Sequence, residues 1–347
     1  MLKAAAKYSK FVFFLLGLGV FLGLIHDFGI NNILTNLSRT GWWLIPIIGI
    51  WAVVYLLNSL SFWVILGKDR YSVGFRNSML ITISGFAINY ITPFASVGGE
   101  PFRIFKLRNY ISTPSAVSKV VLCKMVQLFS HFILWLVTIL IMFLILPLSE
   151  NSRLILAILF SLILAFSQLF ISSHKNGLIG YVYSGVKKLR IKPLVQFFEK
   201  RERSIYEADE NIKELYNRRK EAFYLALSFE FLARIVSSLE FYFILRSIGL
   251  DASVLQAIYI NSVSSLFMNI FFFVPLELGI REGSLLFIMK SINITAGIGI
   301  FIAVINRIRE LFWIITGLVL IRFIGKDSLT ATLQTLKRGV KDESIAI

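Results

Sequence analysis

The sequence predicts an all-α polytopic membrane protein with about six full spans and two re-entrant helical hairpins arranged as an inverted repeat. Hydrophobic residues make up 56% of its 347 positions and charged residues only 16%. Uncharged stretches of about 20 residues, the length that crosses a bilayer as a helix, cover most of the chain. This composition excludes a disordered chain and an ordinary soluble domain. The single cysteine, Cys123, excludes an intramolecular disulfide.

The first span is predicted at residues 11–25. This stretch follows three lysines within the first ten residues, a pattern that secretory signal peptides share. The residues after it, from His26 to Gly29, contain no small-x-small cleavage site, so we interpret the stretch as an uncleaved helix. The other full spans are predicted at residues 42–66, 117–146, 154–172, 221–245 and 297–324.

Two further uncharged stretches, residues 77–99 and 252–276, are long enough to cross, but polar residues interrupt both, and they contain Pro93 and Pro275. Loop charge decides how to count them. Residues 174–220 hold 12 Lys and Arg against 6 Asp and Glu, and cytoplasmic loops carry such an excess. If both stretches turn back, both termini and every short basic segment fall on that same side. We therefore predict two re-entrant hairpins and cytoplasmic termini.

The basic segment between the two halves is predicted to be a surface helix near anionic headgroups, with a protein-binding role as the alternative. The net charge of +16 is assigned to such loops, so nucleic acid is not an expected partner. The predicted parts are residues 1–30 (N-terminal span), 41–146 (first repeat unit), 153–172 (linking span), 173–220 (basic cytoplasmic loop), 221–324 (second, inverted unit) and 325–347 (cytoplasmic tail).

The repeat is detected by shifting the chain by 182 positions, which places Pro93 on Pro275, Glu100 on Glu282 and Gly67 on Gly249. Each half then contains a span, a polar-dotted stretch, a proline, a glycine-containing turn, a short helix and a long span. Inverted units with interrupted helices are typical of secondary transporters. Chance similarity between hydrophobic segments is the alternative.

The two turns are the predicted chemical sites. In the first, Gly98 and Gly99 are expected to supply φ values that other residues resist, and a half-helix is expected to begin near Glu100, one turn before Arg103. The positive end of that helix would then bind an anion. The second turn repeats the pattern in its own order: Pro275, Gly279, Arg281, Glu282 and Gly283. As the alternative, Glu100 with Arg103, and Arg281 with Glu282, only neutralise each other.

Several charged residues fall inside predicted full spans, where an unpaired charge facing lipid costs about 3 kcal/mol. Lys124 and Arg307 are the stronger functional candidates, because the 182-residue shift brings them within one position of each other. Glu230 and Arg234 form an i, i+4 pair, and a purely structural ion pair explains their presence as well as a functional role does. The predicted substrate-binding residues are Glu100, Arg103, Lys124, Arg281, Glu282, Arg307 and Glu310; the predicted structural turn residues are Pro93, Gly98, Gly99, Pro275, Gly279 and Gly283.

The sequence does not indicate an enzyme. The three histidines form neither HExxH nor another metal motif. Gly17 and Gly19 lie inside the predicted first span and follow no strand, so they do not form a nucleotide-binding loop. We therefore expect no catalytic residues, no metal and no cofactor.

At its two turns the sequence resembles the lysylphosphatidylglycerol synthase transmembrane family, the flippase-like membrane domain of the multiple peptide resistance factor. The resemblance lies in Pro93, Gly98-Gly99-Glu100 and Arg103 of the first half and in Pro275 with residues 278–283 of the second. The chain departs from the family at Glu277, where small residues are usual, and no aminoacyl-transferase domain follows residue 324.

The resemblance implies a stand-alone flippase-like protein that moves a polar or charged phosphate-bearing lipid across the bacterial inner membrane. The expected partners are membrane lipids: an anionic or aminoacylated phospholipid, or a polyprenyl phosphate. The sequence does not decide whether the protein forms a homo-oligomer. The alternative function is a non-transporting lipid-binding subunit or scaffold for a separate lipid-modifying enzyme, and a third is a membrane transferase.

Overall fold

A computed structural model describes residues 29–92, 98–145, 150–175, 219–272 and 274–325, together with His26 and Glu210. Helices form all of the regular secondary structure in these ranges, which confirms the all-α class. We number the main helices in chain order: α1 (Ile30–Thr40), α2 (Leu44–Leu66), α3 (Phe75–Ile91), α4 (Gly99–Leu107), α5 (Thr113–Ile145), α6 (Glu150–Lys175), α7 (Lys220–Ser247), α8 (Val254–Ile270), α9 (Ile280–Ser291) and α10 (Gly297–Leu320).

Helices α2, α5, α6, α7 and α10 coincide with five predicted spans to within a few residues. Three stretches of the described residues are long and apolar enough to cross a membrane: Leu34–Val73, Thr113–Phe143 and Lys220–Ser247. Helix α10 is also long, but it carries three charged residues close together, Arg307, Arg309 and Glu310. The count of six spans stays a prediction. The predicted first span, residues 176–218 of the predicted basic loop except Glu210, and the tail after residue 325 lie outside the described residues.

Helices α3 and α8, which contain the polar residues of the two ambiguous stretches, are each followed by a short helix that packs back along them. A Cβ atom at Gly99, at the start of α4, would overlap the Gly85 carbonyl oxygen of α3. One turn further along α4, Arg103 donates to the carbonyl of Thr82, which is earlier in α3. In the second hairpin, the Phe267 and Phe287 rings lie 6.0 Å apart on α8 and α9. Helices α3 and α4 therefore run antiparallel, as a hairpin requires.

The order of helices is the same in the two halves of the chain. Shifted by 182 residues, α7, α8, α9 and α10 fall on α2, α3, α4 and α5. The loops that end α2 and follow α7 also match, since Gly67 and Gly249 both adopt left-handed backbone conformations, with φ of 63° and 84°. Glycine is the residue that takes this conformation without a steric cost. The correspondence therefore extends from sequence to local backbone geometry.

The hairpins pack across the two halves. Helix α3 lies on α10, where the Ser84 hydroxyl donates to the Gly317 carbonyl at 2.9 Å. Helix α8 lies on α5, where the Trp135 indole N–H donates to the Ser265 hydroxyl at 2.8 Å. Helices α2 and α7, the first of each half, pack against each other along much of their length. Each half thus completes the packing of the other.

Two buried apolar clusters hold these halves. One is built mainly from α2, α5 and the start of α7, and includes Phe62, Trp135 and Phe223. The other is built mainly from α7, α9 and α10, and includes Phe241 and Phe301. Charged side chains outside these clusters surround the cavities described next.

Candidate functional site

A cavity of about 600 Å³ lies where the two halves meet, and α3, α5, α7, α8, α9 and α10 all contribute to its wall. Its charged lining residues are Lys124, Arg234, Glu240, Glu277, Arg281, Arg309 and Glu310. Polar side chains of His131, Asn261, Asn269 and Asn306 add to them, while Leu128, Phe166, Met268 and Phe272 are apolar. The volume is within the roughly 300–1,000 Å³ of small-ligand sites.

One part of this wall carries two cations whose carboxylate partners lie outside the cavity lining. The Lys124 ammonium is 3.0 Å from Glu100, yet its side chain is 57% exposed. The Arg234 guanidinium is 3.8 Å from Glu230, and its side chain is 20% exposed. Neither Glu100 nor Glu230 lines the cavity. This part of the wall therefore presents positive charge to whatever occupies the cavity.

The Glu240 carboxylate, in another part of the wall, is fully occupied by the protein. It accepts from the Arg309 Nε at 3.1 Å, from the Asn306 amide at 2.6 Å and from the Trp51 indole at 2.7 Å. The Arg309 guanidinium also lies over the Trp51 ring, 3.9 Å from its centroid. A buried charge pair with this many partners is self-contained. We therefore assign Glu240 and Arg309 to the framework of the cavity.

Arg281 forms the border of the cavity on the α9 side. Its guanidinium donates to Glu277 with one terminal nitrogen and to Glu310 with the other. Glu277 is the more exposed of the two acids, with 28% of its side chain accessible. Because each prong holds a different carboxylate, Arg281 ties the turn before α9 to helix α10.

A second cavity of about 360 Å³ lies on the other side of this border. Four residues line both cavities: Tyr90, Glu277, Arg281 and Glu310. The rest of its wall is Thr92, Leu276, Leu278, Arg307, Leu311 and Ile314. A polar cavity and a mainly apolar one are thus neighbours with a shared charged border.

Equivalent ion pairs fix the two hairpins to the long helices that follow them. In the first half, Glu100 near the start of α4 pairs with Lys124 of α5 at 3.0 Å. In the second half, Glu282 near the start of α9 pairs with Arg307 of α10 at 3.4 Å. The two glutamates are 182 positions apart, and the two cations are 183 apart. The candidates Lys124 and Arg307 therefore occupy corresponding positions with corresponding partners.

The predicted neutralising pairs at the turns are replaced by these contacts. The ion-pair partner of Glu100 is Lys124 instead of Arg103. Glu282 pairs with Arg307, whereas Arg281 holds Glu277 and Glu310. The reason is that both long helices bring a cation to the hairpin, and these cations come closer than the neighbouring arginine.

Three of the predicted substrate-binding residues, Glu100, Arg103 and Glu282, do not line either cavity. Arg103 is held against helix α3. It is only 2% exposed, and its guanidinium lies 4.7 Å above the Phe86 ring and donates to the Thr82 carbonyl at 3.4 Å. Arg103 lines neither cavity. Gly85 makes room for this side chain, because a Cβ there would overlap the Arg103 Nε. Lys124, Arg281, Arg307 and Glu310 do line the cavities.

The expected reason for the first glycine pair is wrong. Gly98 has a helical backbone with φ of −69°, and Gly99 is the first residue of α4. Their role is steric, since a Cβ at either position would overlap α3 or Thr92. In the second turn, Gly279 does adopt a positive φ of 79°. Gly283 lies inside α9 with open space around it, so it is not a turn residue.

The prolines have different outcomes. Pro93 lies outside the described residues. Pro275 begins a short 3-10 turn, Pro275–Glu277, in which the backbones of Leu276 and Glu277 are left-handed, with φ of 54° and 56°. This conformation is costly for residues that have a Cβ atom.

The helix starts at the two turns bind protein groups. The Gly99 amide donates to the Asn89 side chain at 2.6 Å, and the Gly279 amide donates to Glu282 at 2.8 Å. These two amides are therefore satisfied by the protein, and Lys124 and Arg234 are the cations of the larger cavity whose carboxylate partners lie outside its lining. Arg234 was predicted only as a partner of Glu230, and Glu277 only as a departure from the family. The i, i+4 spacing of Glu230 and Arg234 predicted the first ion pair, and the same spacing of Glu277 and Arg281 could have indicated the second.

Within the described residues, no group of three His, Cys, Asp or Glu side chains could hold a metal ion.

Comparison with known proteins gives two matches. The family model described as the lysylphosphatidylglycerol synthase TM region matches residues 10–318. A protein of Methanothermobacter thermautotrophicus described as a UPF0104 membrane protein is 23% identical over 284 residues, which cover 79% of this chain and 83% of that protein. No solved structure matches the chain significantly.

Proposed function

Because this chain belongs to the family of the lysylphosphatidylglycerol synthase TM region, we propose that it moves a phosphate-bearing lipid between the leaflets of its membrane. Family membership and the long apolar helices make it a membrane protein with a lipid-related role. The translocation of the lipid is the proposal. We place the protein in the bacterial inner membrane on the strength of the family resemblance, and both termini in the cytoplasm on the strength of the basic loops.

The observation that carries this proposal is the pairing of exposed cations with an adjoining apolar space. Lys124 and Arg234 present positive charge inside the larger cavity, and Leu128, Phe166 and Phe272 extend the same wall with apolar surface. Phe166 and Phe272 are 58% and 60% exposed, so they mark a side opening. A lipid has this combination of an anionic headgroup and hydrocarbon chains.

The phosphate is proposed to bind between Lys124 and Arg234. Among the described residues each cation has one carboxylate partner, and neither Glu100 nor Glu230 is part of the cavity lining. A phosphate oxygen could therefore add a second partner without displacing the first. Hydrogen bonds between charged groups contribute roughly 1.5–3 kcal/mol each, enough to hold a headgroup for a limited time. The Nδ1 atom of His131, which is buried without a partner among the described residues, adds a polar group nearby.

The inverted repeat is proposed to provide access from both leaflets. Supporting it are the corresponding ion pairs Glu100–Lys124 and Glu282–Arg307 and the exchange of hairpins between halves. In transporters with inverted repeats, one unit moves against the other around a site at their interface. The larger cavity lies at such an interface. The lipid would leave chemically unchanged, so we propose a transporter and not an enzyme.

The test is lipid translocation by the purified protein in vesicles. Phosphatidylglycerol that carries a fluorescent label on an acyl chain is placed in both leaflets of the vesicle. A reductant that cannot cross the membrane then bleaches the label in the outer leaflet. The intact protein should carry the inner-leaflet label outward. The Lys124→Ala variant should be about tenfold slower, since the loss of roughly 1.5 kcal/mol changes a rate by that factor.

Lys290→Ala is the matched control, because Lys290 is exposed on α9 and lines neither cavity. It should match the unmodified protein, and Lys124→Arg should recover most of the rate. If the unmodified protein binds the lipid but bleaching stops at the outer leaflet, translocation is refuted. That result would favour a lipid-binding subunit or scaffold.

A further inference from the structure

We propose that the smaller cavity holds one hydrocarbon chain of the same lipid, with the glycerol ester group at the charged border between the cavities. This inference rests on the proposed function, because it assumes that a lipid headgroup occupies the larger cavity. It assigns a second binding site, for the acyl chain of a glycerolipid.

The wall of the smaller cavity is suited to a hydrocarbon chain. Leu276 and Leu311 stand at its edge with 38% and 59% of their surface exposed, whereas Leu278 is only 8% exposed. The apolar wall therefore runs from the surface of the protein into its interior. A chain that enters from the bilayer exchanges one apolar surrounding for another, so neither state is strongly favoured. Such a chain can bind and leave, as transport requires.

Two arginines that line this cavity carry buried donors. The Nε atoms of Arg281 and Arg307 have no hydrogen-bond partner among the described residues, although both residues line the cavity. The Arg281 side chain is only 7% exposed. Buried donors are normally satisfied, so an open donor on a residue that lines a cavity has room for an acceptor that the described residues do not supply. The ester carbonyl oxygens of a glycerolipid are acceptors without charge, placed between headgroup and chains.

The shared border supports one ligand that spans both cavities. Tyr90, Glu277, Arg281 and Glu310 line the larger and the smaller cavity alike. A molecule whose charged part lies near Lys124 would therefore meet these residues before its chain reaches Leu278. The left-handed backbone of Leu276 and Glu277 lies at the same border, where strain of this kind is typical of ligand sites.

The first test uses the unmodified protein and does not depend on transport. Phosphatidylglycerol with a diazirine near the end of one acyl chain is incorporated into vesicles that contain the protein. After illumination, the labelled peptides are mapped by mass spectrometry. Ile315, which is 63% exposed on α10, should be labelled by lipid in the bulk bilayer. Leu278, which lies inside, should be labelled only by a chain in the cavity.

The second test fills the cavity. Ile314→Trp should reduce labelling at Leu278 to background and slow translocation of the long-chain lipid. Leu318→Trp is the control, since Leu318 is on the same helix, 41% exposed and outside the cavity lining. It should leave both measurements unchanged. Binding of glycerophosphoglycerol, the headgroup without chains, should survive Ile314→Trp and be lost in Lys124→Ala.

These measurements separate the two proposals. Labelling of Ile315 without labelling of Leu278 overturns the chain site, whatever the transport assay shows. Unchanged translocation by a folded Ile314→Trp variant also overturns it, while the headgroup site stands. Labelling of Leu278 in a protein that translocates nothing supports the chain site and refutes transport.

Discussion

Helix α7 and the loop after it carry two ion pairs whose lengths and burial are opposed, so they can separate the effects of distance and burial. Glu230 and Arg234 are 3.8 Å apart, with 0% and 20% of their side chains exposed. Arg246 and Asp251 are only 2.7 Å apart, but 39% and 92% exposed. If distance decided the energy, the second pair would be stronger. We expect the reverse, because water screens exposed charges.

The magnitudes follow from what each change leaves behind. Arg234→Met leaves the Glu230 carboxylate fully buried with the Asn58 amide, 2.8 Å away, as a remaining donor. The expected cost is about 3 kcal/mol, the lower end for a broken buried pair. Glu230→Gln should cost about 2 kcal/mol. The cost is lower because Arg234 still donates to the Ser130 hydroxyl at 3.4 Å and still faces the larger cavity, whose wall it lines. The double variant removes both charges and should also cost about 2 kcal/mol, which makes the coupling energy about 3 kcal/mol.

The free energy of unfolding would be measured in lipid bicelles titrated with a denaturing detergent, with helix content as the signal. The same cycle on Arg246 and Asp251, with Met and Asn replacements, should give a coupling of at most about 1 kcal/mol. Equal coupling energies for the two pairs would refute the reasoning. So would additive costs at Glu230 and Arg234, which would mean that neither is stranded by loss of the other.

Three further predictions concern the glycines of the two turns, the two-pronged contact of Arg281 and the orientation of α2. Gly99→Ala should lower the free energy of unfolding, because its Cβ overlaps the neighbouring helix, whereas Gly283→Ala should be neutral or stabilise by up to about 1 kcal/mol in thermal unfolding. Arg281→Lys should cost about 2 kcal/mol in the same assay, since an ammonium keeps one of the two carboxylate contacts. In a cysteine-free background, Ser38→Cys should react with an impermeant thiol reagent on intact cells, and Tyr71→Cys only after permeabilisation, because they flank α2.

Each of these has a control and a contrary outcome. Arg322→Lys, on an exposed arginine after α10, should change unfolding by less than about 0.5 kcal/mol. An equal loss at Arg281 and Arg322 would mean that the two-pronged contact is unimportant. Equal effects at Gly99 and Gly283 would contradict the steric argument. Labelling of both cysteines on intact cells would contradict the predicted orientation.

The helices could be predicted closely because charge and glycine mark their ends. The span predicted at residues 42–66 is helix α2, Leu44–Leu66, and it stops where Gly67 takes a positive φ. A half-helix predicted to begin near Glu100 begins at Gly99. These signals are local, so a single sequence contains them.

The contacts between helices were harder to predict from the sequence. The shift of 182 residues identified Lys124 and Arg307 as equivalent but gave no partner for either. Their partners, Glu100 and Glu282, are 24 and 25 residues away along the chain, and they come close only because each short helix packs against the next long one. Such a distance has no helical period from which to infer it.

The direction of a side chain on a short helix was also beyond the sequence. Arg103 is one turn after Glu100, which suggested that both face the same space. The fold-back of α4 against α3 instead turns Arg103 toward Gly85 and Phe86, where the missing Cβ leaves room. The face that α4 buries is set by its contact with α3, not by its own pattern.

The packing of α3 on α10 sets the order of events during biosynthesis. Ser84 must wait for Gly317, which is synthesised 233 residues later. At about 5–20 residues per second, that interval is roughly 10–50 s. Throughout it, the polar side chains that α3 buries in the finished protein have no α10 to cover them. The first hairpin therefore enters the membrane well before the helix against which it packs has been synthesised. A chaperone that covers its polar side chains until translation ends would raise the yield of folded protein.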